Sequence, residues 1–254
     1  MLSASEIFSV QDRVVIVTGA SSGLGERFTR VLAANGASVL AVARRADRLA
    51  ALAEEIPNVV AHQADLADGA TRPGVIDAAL TAFGRIDVLV NNAGYGTPAK
   101  SVDEDMEAFR DIVELNLHAV FELSRLAARH MIERGSGSII NIASILGMIA
   151  STPIPNASYA ASKGAVINLT RELGCQWARS GVRVNAIAPG YFQTEGTGPI
   201  EVGTKFGDYI AKNAPMGRPG EDDELDGILL FLASNASTYC TGQTIVIDGG
   251  WTAR

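Results

Sequence analysis

An α/β architecture, a single-domain doubly wound parallel sheet of about seven strands with helices on both faces, follows from three features of this 254-residue sequence. Short apolar, β-branched runs alternate with longer stretches of helical period from one end to the other, with no break in composition. The runs are apolar throughout instead of alternating, the pattern of strands covered on both faces. A glycine-rich turn, Thr18-Gly19-Ala20-Ser21-Ser22-Gly23-Leu24-Gly25, separates the first run from the first helical stretch. That turn favours an open sheet over the rival closed β/α barrel.

Taken in order, Val14, Val15, Ile16 and Val17 make the first strand. Helical spacing covers 24–35 and stops at Gly36. Strands are predicted at 38–43 and 58–62, with a helix over 47–56 between them. A helix over 71–83 leads to a strand at 86–90, which closes in Asn91-Asn92-Ala93-Gly94. A long helical region at 103–133 precedes a strand at 138–143, and a helix over 159–179 precedes a strand at 182–188. A helix over 222–232 and a strand at 243–247 complete the alternation. Residues 190–216, rich in Gly, Pro and Thr, show no regular period. So long an irregular connection in a compact domain predicts a lid over a site.

The formal net charge is −7 and the basic residues are scattered. This excludes the electrostatic footprint of a nucleic-acid binder and gives no polybasic segment for a membrane surface. The first residues lack a charged start followed by an apolar core, and no apolar run approaches membrane-spanning length. Cys175 and Cys240 are far apart without metal-ligand spacing, as expected of buried or free thiols in a reducing compartment. The expectation is a cytoplasmic protein that binds neither nucleic acid, membrane nor metal.

Chemistry enters at Tyr159 and Lys163, which stack one turn apart on a helix. A nearby ammonium stabilises a phenolate, and a tyrosine tuned in this way exchanges a proton with a carbonyl or alcohol. Taken alone, the pair also fits an ordinary exposed helix face. The glycine turn lets a backbone approach a pyrophosphate resting on a helix N-terminus, although a tight turn without a ligand has the same composition.

Thr18-Gly19-x-x-x-Gly23-x-Gly25, Asn91-Asn92-Ala93-Gly94, Ser144, Tyr159-x-x-x-Lys163 and Pro189-Gly190-x-x-x-Thr194 stand in one order. In that order they resemble the short-chain dehydrogenase/reductase family, and the likeness runs from the first strand to Asp248-Gly249-Gly250. The resemblance implies a Rossmann-like fold and an NAD(P)(H)-dependent oxidoreductase interconverting a ketone or aldehyde with an alcohol. Tyr159 then matches the catalytic acid/base, and Lys163 matches the residue that lowers the tyrosine pKa and holds the nicotinamide ribose. Ser144 matches the hydroxyl that polarises the substrate carbonyl, and Asn116 matches the asparagine supporting a proton-relay water. For Ser144 a turn or cap role, and for Asn116 a backbone-bonded amide, are the structural alternatives. Hydride exchange at a carbonyl carbon needs a donor and a proton source at oxygen, which these residue types supply.

By the same resemblance Gly19, Ser21, Ser22, Gly23, Leu24 and Gly25 hold the pyrophosphate end of the cofactor. Asp65 and Leu66 line the adenine, and Asn92, Ala93 and Gly94 pass beneath the adenosine. Pro189, Gly190, Phe192 and Thr194 meet the nicotinamide. At the end of the second strand Ala43 stands where an acid would bond the adenosine ribose, and Arg44 and Arg45 follow. Either arginine could clamp a 2′-phosphate, which favours NADP(H) while leaving NAD(H) open; paired arginines also occur at solvated helix starts.

Met216-Gly217-Arg218-Pro219-Gly220 is similar to 3-oxoacyl-thioester reductases and equally to sugar, polyol and secondary-alcohol dehydrogenases of the family. A non-catalytic dinucleotide-binding regulator is the alternative of another class. Tyr191, Phe192, Ile200, Val202, Phe206 and Tyr209 give the lid an apolar character and Glu195, Glu201 and Asp208 make it acidic. Together they point to a small or medium, mostly apolar carbonyl compound. Ser144 and Tyr159 are fifteen positions apart, more than is usual in the family, so the loop 147–156 is enlarged. The family also implies a homotetramer, or a homodimer. Val166, Ile167, Leu169, Leu173 and Trp177 are more apolar positions than one buried stripe needs, which fits such an interface, with burial within the monomer as the alternative.

Overall fold

The computed structural model describes residues 2–193, 200 and 203–254. Helix α1 (Ala4–Ile7) precedes β1 (Val14–Thr18), α2 (Gly23–Ala34), β2 (Ser38–Ala43), α3 (Ala46–Glu55), β3 (Val59–Gln63), α4 (Arg72–Phe83) and β4 (Val88–Asn91). Then come α5 (Met106–Val113), α6 (Ala119–Arg134), β5 (Gly137–Ile142), α7 (Ala157–Trp177), β6 (Val182–Pro189), α8 (Lys205–Asn213), α9 (Asp226–Ala233) and β7 (Thr244–Ile247). The strands form one open parallel sheet in the order β3-β2-β1-β4-β5-β6-β7. The order is that of an open sheet, so the closed barrel is excluded. Strand order reverses between β1 and β4, and the carboxyl ends of those strands frame the crevice where doubly wound sheets hold ligands.

Alternating side chains of the central strands fill two layers. Val15 and Val17 pack with Phe28, Leu32 and Leu229 on the side of α2, α3 and α9. Ile16 packs with Ile76, Leu123 and Met131 on the side of α4 and α6. Double coverage is why these strands read as continuous apolar runs. The edge strand β3 departs from that pattern. It pairs only with β2, so Val59 is buried while Val60 is exposed.

Three elements differ from the sequence reading. The helical region 103–133 is broken into α5 and α6 by a π turn at Glu114–His118, which carries Asn116. Buried Arg72 pairs with Glu114 in this π turn and, at 2.8 Å, with Glu122 in α6, while its Nε donates to the Leu66 carbonyl at 3.0 Å. No periodicity announces such a tertiary contact. The irregular stretch 190–216 contains α8, whose Thr204 cap accepts from the Gly207 N–H at 3.0 Å. It is a short helix hidden among Gly and Pro. Finally, Val166, Ile167 and Leu173 of α7 are buried within this chain, and Leu169 and Trp177 pack beside its core. They are core residues of the chain, so they give no surplus for a subunit interface.

Among the described residues no helix is long and apolar enough to cross a membrane, and no three His, Cys, Asp or Glu side chains gather as metal ligands.

Candidate active site

Thr18 ends β1 beside the end of β4 and ties the two together. Its hydroxyl accepts from the Asn92 N–H at 2.9 Å and the Ala93 N–H at 3.0 Å, and the Asn92 side-chain amide donates to the Thr18 carbonyl at 2.9 Å. Sequence reasoning gave Thr18 no role of its own, because a threonine at a strand end is unremarkable without its partners. The turn that follows needs its glycines. Gly19 has φ +70°, and a Cβ on Gly25 would lie 2.2 Å from the Gly19 carbonyl oxygen. Gly23 then starts α2, and Ser22 makes no side-chain capping bond, so the first N–H groups of α2 are left to other acceptors. Leu24 packs against the core and Ser21 is buried.

Arg45, at the N-terminus of α3, reaches this turn. Its Nε donates to Ser21 Oγ at 3.1 Å and a terminal nitrogen to Ser22 Oγ at 2.5 Å. Arg44 is exposed, with its carbonyl accepting from Gln63 at 3.0 Å. Of the predicted pair, Arg45 is the one the fold delivers to the glycine turn, and Ala43 beside it is buried and uncharged. Asp65 is exposed and accepts from the Ala67 N–H at 3.1 Å. Leu66 is buried in the core among α4 and α6 residues, so its side chain supports the crevice without lining it.

On the far side of the crevice, Ser144 follows β5 and caps the turn Ile145–Gly147, accepting from the Leu146 N–H at 3.1 Å. The cap reading of this serine is therefore met, and its hydroxyl also lies close enough to Tyr159 to act on the phenol. Burial pushes the Tyr159 phenol up from its ordinary value, and the Ser144 bond opposes this. The lowering expected from lysine does not dominate. Lys163 lies one turn along α7 with Nζ 5.6 Å from the Tyr159 ring centroid, and it donates to the Ile142 carbonyl at 2.7 Å. It is 4% exposed, and burial pushes its ammonium down to about 8.

Asn116 is fully buried and its side chain is engaged within the protein. Its Oδ1 accepts from the Tyr95 N–H at 3.0 Å, and its Nδ2 donates to the Tyr95 carbonyl at 2.9 Å and to Ser162 Oγ at 3.1 Å. Ser162 in turn donates to the Tyr159 carbonyl at 2.8 Å. Asn116 thereby positions the strand-end segment and the helix bearing Tyr159. Ser162 was not singled out from sequence, since nothing in Tyr-Ala-Ala-Ser-Lys separates it from any helical serine. Gly94 passes so close to Asn116 that a Cβ there would lie 2.9 Å from Oδ1 and 3.3 Å from Lys163 Nζ.

Pro189 closes β6, and the Gly190 N–H donates to the Ile247 carbonyl at 2.8 Å. Phe192 is 5% exposed and packs in the core against Gly220. Thr194 and the lid residues Glu195, Glu201 and Val202 lie outside the described residues. The remaining lid aromatics form a cluster of their own. Tyr191 meets Trp251 edge-on at 4.8 Å and Phe206 at 5.6 Å, and Tyr209 lies 5.8 Å from Trp251. Ile145, Ile200 and Ile210 complete it. The apolar character of these side chains serves packing around Trp251, which weakens the argument for an apolar substrate. The Tyr209 hydroxyl donates to the Thr152 carbonyl at 3.1 Å, joining α8 to the enlarged loop 147–156.

The arrangement presents two hydroxyls, Ser144 and Tyr159, at one point, with a buried ammonium beneath and an anion-compatible turn alongside. It can hold and protonate an oxygen atom on a carbonyl carbon.

Residues 19–252 match the family described as Enoyl-(Acyl carrier protein) reductase. The chain is 38% identical over 256 residues to 2-dehydro-3-deoxy-D-gluconate 5-dehydrogenase of Bacillus subtilis, covering 98% of each. It superposes with TM-score 0.93 on a gluconate 5-dehydrogenase from Burkholderia cenocepacia in complex with NADP and tartrate, at 37% identity over 99% of this chain and 100% of that one. A short-chain type dehydrogenase/reductase from Mycobacterium marinum gives TM-score 0.92 at 35% identity, over 99% and 100% of the two chains. The chain thus has counterparts over nearly its whole length, and it belongs to the short-chain dehydrogenase/reductase family of oxidoreductases.

Proposed function

We propose that the protein is an NADP(H)-preferring oxidoreductase that interconverts an alcohol and a ketone or aldehyde, with Ser144, Tyr159 and Lys163 at the reacting centre and Asn116 positioning them. The observation that carries this reading is the convergence of the Ser144 and Tyr159 hydroxyls above a buried Lys163 whose protein acceptor is one carbonyl. A dinucleotide fits the residues present. The approach of Gly25 to Gly19 leaves no space for side chains in the turn, Arg45 sits on that turn, and Ala43 offers no carboxylate to repel a 2′-phosphate. NADP in the Burkholderia relative supports the same preference.

When bound, the nicotinamide supplies or accepts hydride at the substrate carbon. The protein supplies the rest. Ser144 donates to the substrate oxygen and orients it, and Tyr159 gives that oxygen a proton in reduction or takes it in oxidation. Lys163 has donors beyond its Ile142 bond for ribose hydroxyls, and its charge stabilises the phenolate formed during turnover. Ser162 and Asn116 hold the Tyr159 turn of α7 in register with the segment at Tyr95.

For substrate, the names of the Bacillus and Burkholderia relatives and the packing role of the lid aromatics favour a hydroxylated compound, a sugar acid or polyol, over the apolar carbonyl expected from composition. A panel of polyols, sugar acids, simple ketones and a 3-oxoacyl thioester, read by nicotinamide absorbance with NADPH and NADH in parallel, tests cofactor and substrate together. Turnover that survives Tyr159→Phe at the wild-type rate would refute the mechanism. Binding of NADPH without turnover of any compound would favour the regulator instead. Self-association as a tetramer or dimer is proposed on the family likeness and on Phe121 and Ile132, which α6 exposes; light scattering on the eluted protein checks it.

A further inference from the structure

The opposite edge of the sheet, where the strands begin, carries a second cavity. It measures about 560 Å³ and is lined by Arg13, Ser136, Arg183, Asn235, Thr238 and Tyr239, among others. Arg13 immediately precedes β1, Ser136 precedes β5, and Arg183 is the second residue of β6. The glycine turn, Ser144 and Pro189 lie at the other ends of these same strands, so this cavity is separate from the site described above.

Its electrostatics run against the rest of the molecule. The chain carries a net charge of −7, yet the guanidiniums of Arg13 and Arg183 both line this cavity and act on each other, and those of Arg85 and Arg134 act on Arg13 from beside it. The carboxylate acting on Arg13 is Asp87, which is already committed: Oδ1 accepts from Arg85 at 2.7 Å and Arg134 at 2.6 Å, and Oδ2 from the Val14 N–H at 2.9 Å. Arg13 and Arg183 themselves are held by neutral groups. Arg13 donates to the Asn235 side-chain oxygen at 2.6 Å, and Arg183 to the carbonyls of Leu232 at 2.8 Å and of Cys240 and Ser234 at 3.4 Å. Neither makes an ion pair among the described residues.

Partly buried guanidiniums facing a common cavity without carboxylate partners are costly, and natural proteins meet that cost with a ligand or an ion pair. Desolvation and the neighbouring guanidinium push Arg183 down to about 10, the direction that a bound anion would reverse. Carbonyl and amide acceptors hold both side chains in place, so the donors are preorganised and little side-chain freedom remains to be lost on binding. The volume falls in the range of small-ligand sites, roughly 300–1,000 Å³. Guanidinium forks match planar or tetrahedral oxyanions. Ser136 and Thr238 add hydroxyl groups around the charged pair.

We propose that the cavity between Arg13 and Arg183 is a binding site for a small multivalent oxyanion, a phosphate ester or a polycarboxylate, at the edge of the sheet remote from the catalytic residues.

The test is calorimetric titration of the intact protein with pyrophosphate and, separately, with citrate, repeated on four variants. Arg13→Gln and Arg183→Gln each remove one fork. Ser136→Asp keeps both arginines and places a carboxylate in the cavity at an exposed position, so it covers the case in which an arginine variant fails to fold. Arg45→Gln reports on the glycine turn, the other place where pyrophosphate could sit. The expected result is saturable binding of one anion per chain that weakens at least tenfold in Arg13→Gln, Arg183→Gln and Ser136→Asp and is unchanged in Arg45→Gln. Pyrophosphate binding alone would assign the site to phosphate esters, and citrate binding alone to polycarboxylates. Absence of saturable binding for both, or a loss that follows Arg45→Gln and spares Ser136→Asp, overturns the proposal.

Discussion

Lys163 Nζ donates to the Ile142 carbonyl at 2.7 Å, so the last residue of β5 holds an ammonium that α7 carries into the interior. Burial lowers that ammonium from 10.5 to about 8. Between these values the unfolded chain binds more protons than the folded one, so unfolding free energy rises with pH across the window. The burial cost is fully present below about pH 8 and is relieved as pH climbs towards 10.5. Tyr159, raised above 10, acts oppositely above its unfolded value, where the folded chain keeps a proton that the unfolded chain loses. Urea unfolding of wild type and Lys163→Met from about pH 7.5 to about pH 9.5 should show the wild type gaining on the variant by about 2 kcal/mol. A difference that is flat with pH contradicts this assignment.

Removal of the Tyr159 hydroxyl should separate chemistry from folding. Tyr159→Phe is expected to lower kcat by roughly 10²–10⁴, the usual contribution of a positioned acid/base. Its far-ultraviolet dichroism should match that of the wild type, because the ring remains. Ser144→Ala should lose activity as well and leave Tyr159 with a still higher pKa, since the opposing hydrogen bond is gone. A shift of the basic limb of the pH–rate profile to higher pH reads that change.

Arg45 makes a separate prediction about cofactor choice. A guanidinium bonded to charged phosphate contributes about 1.5–3 kcal/mol, so Arg45→Gln should raise KM for NADPH roughly 10- to 100-fold. KM for NADH should barely change, because that cofactor has no 2′-phosphate. Arg44→Gln, at an exposed side chain, should have much the smaller effect. Equal losses with both cofactors would mean that Arg45 acts only by bracing Ser21 and Ser22.

The turn itself is testable by adding one methyl group. Gly25→Ala places a Cβ 2.2 Å from the Gly19 carbonyl and 2.5 Å from the Asn92 side chain, so the Thr18–Asn92 staple must move. The expected cost is about 1–3 kcal/mol. For a chain of this size that lowers the melting temperature by roughly 2–4 °C per kcal/mol. Binding of NADPH should weaken too, which a titration of cofactor fluorescence would register.

Much of the fold can be read from residue patterns. Continuous apolar runs such as Val14 to Val17 mark strands covered on both faces, and the glycine turn before α2 fixes an open sheet over a barrel. The order of Gly19, Asn92, Ser144, Tyr159 and Lys163 along the chain was enough to name the family and the carbonyl chemistry. Those signals are local in sequence, which is why they survive without coordinates. What needed tertiary structure depends on contacts between distant residues. Arg72 pairs with Glu114 and Glu122 at the π turn of the 103–133 region, Ser162 and Tyr95 absorb the side chain of Asn116, and Trp251 gathers the lid aromatics into a packed cluster. The choice between Arg44 and Arg45 is of the same kind, since adjacent arginines look alike until the backbone aims one of them at Ser21 and Ser22. So is the arginine cavity, because Arg13 and Arg183 meet only once seven strands have been placed side by side, with β1 and β6 held three positions apart in the sheet.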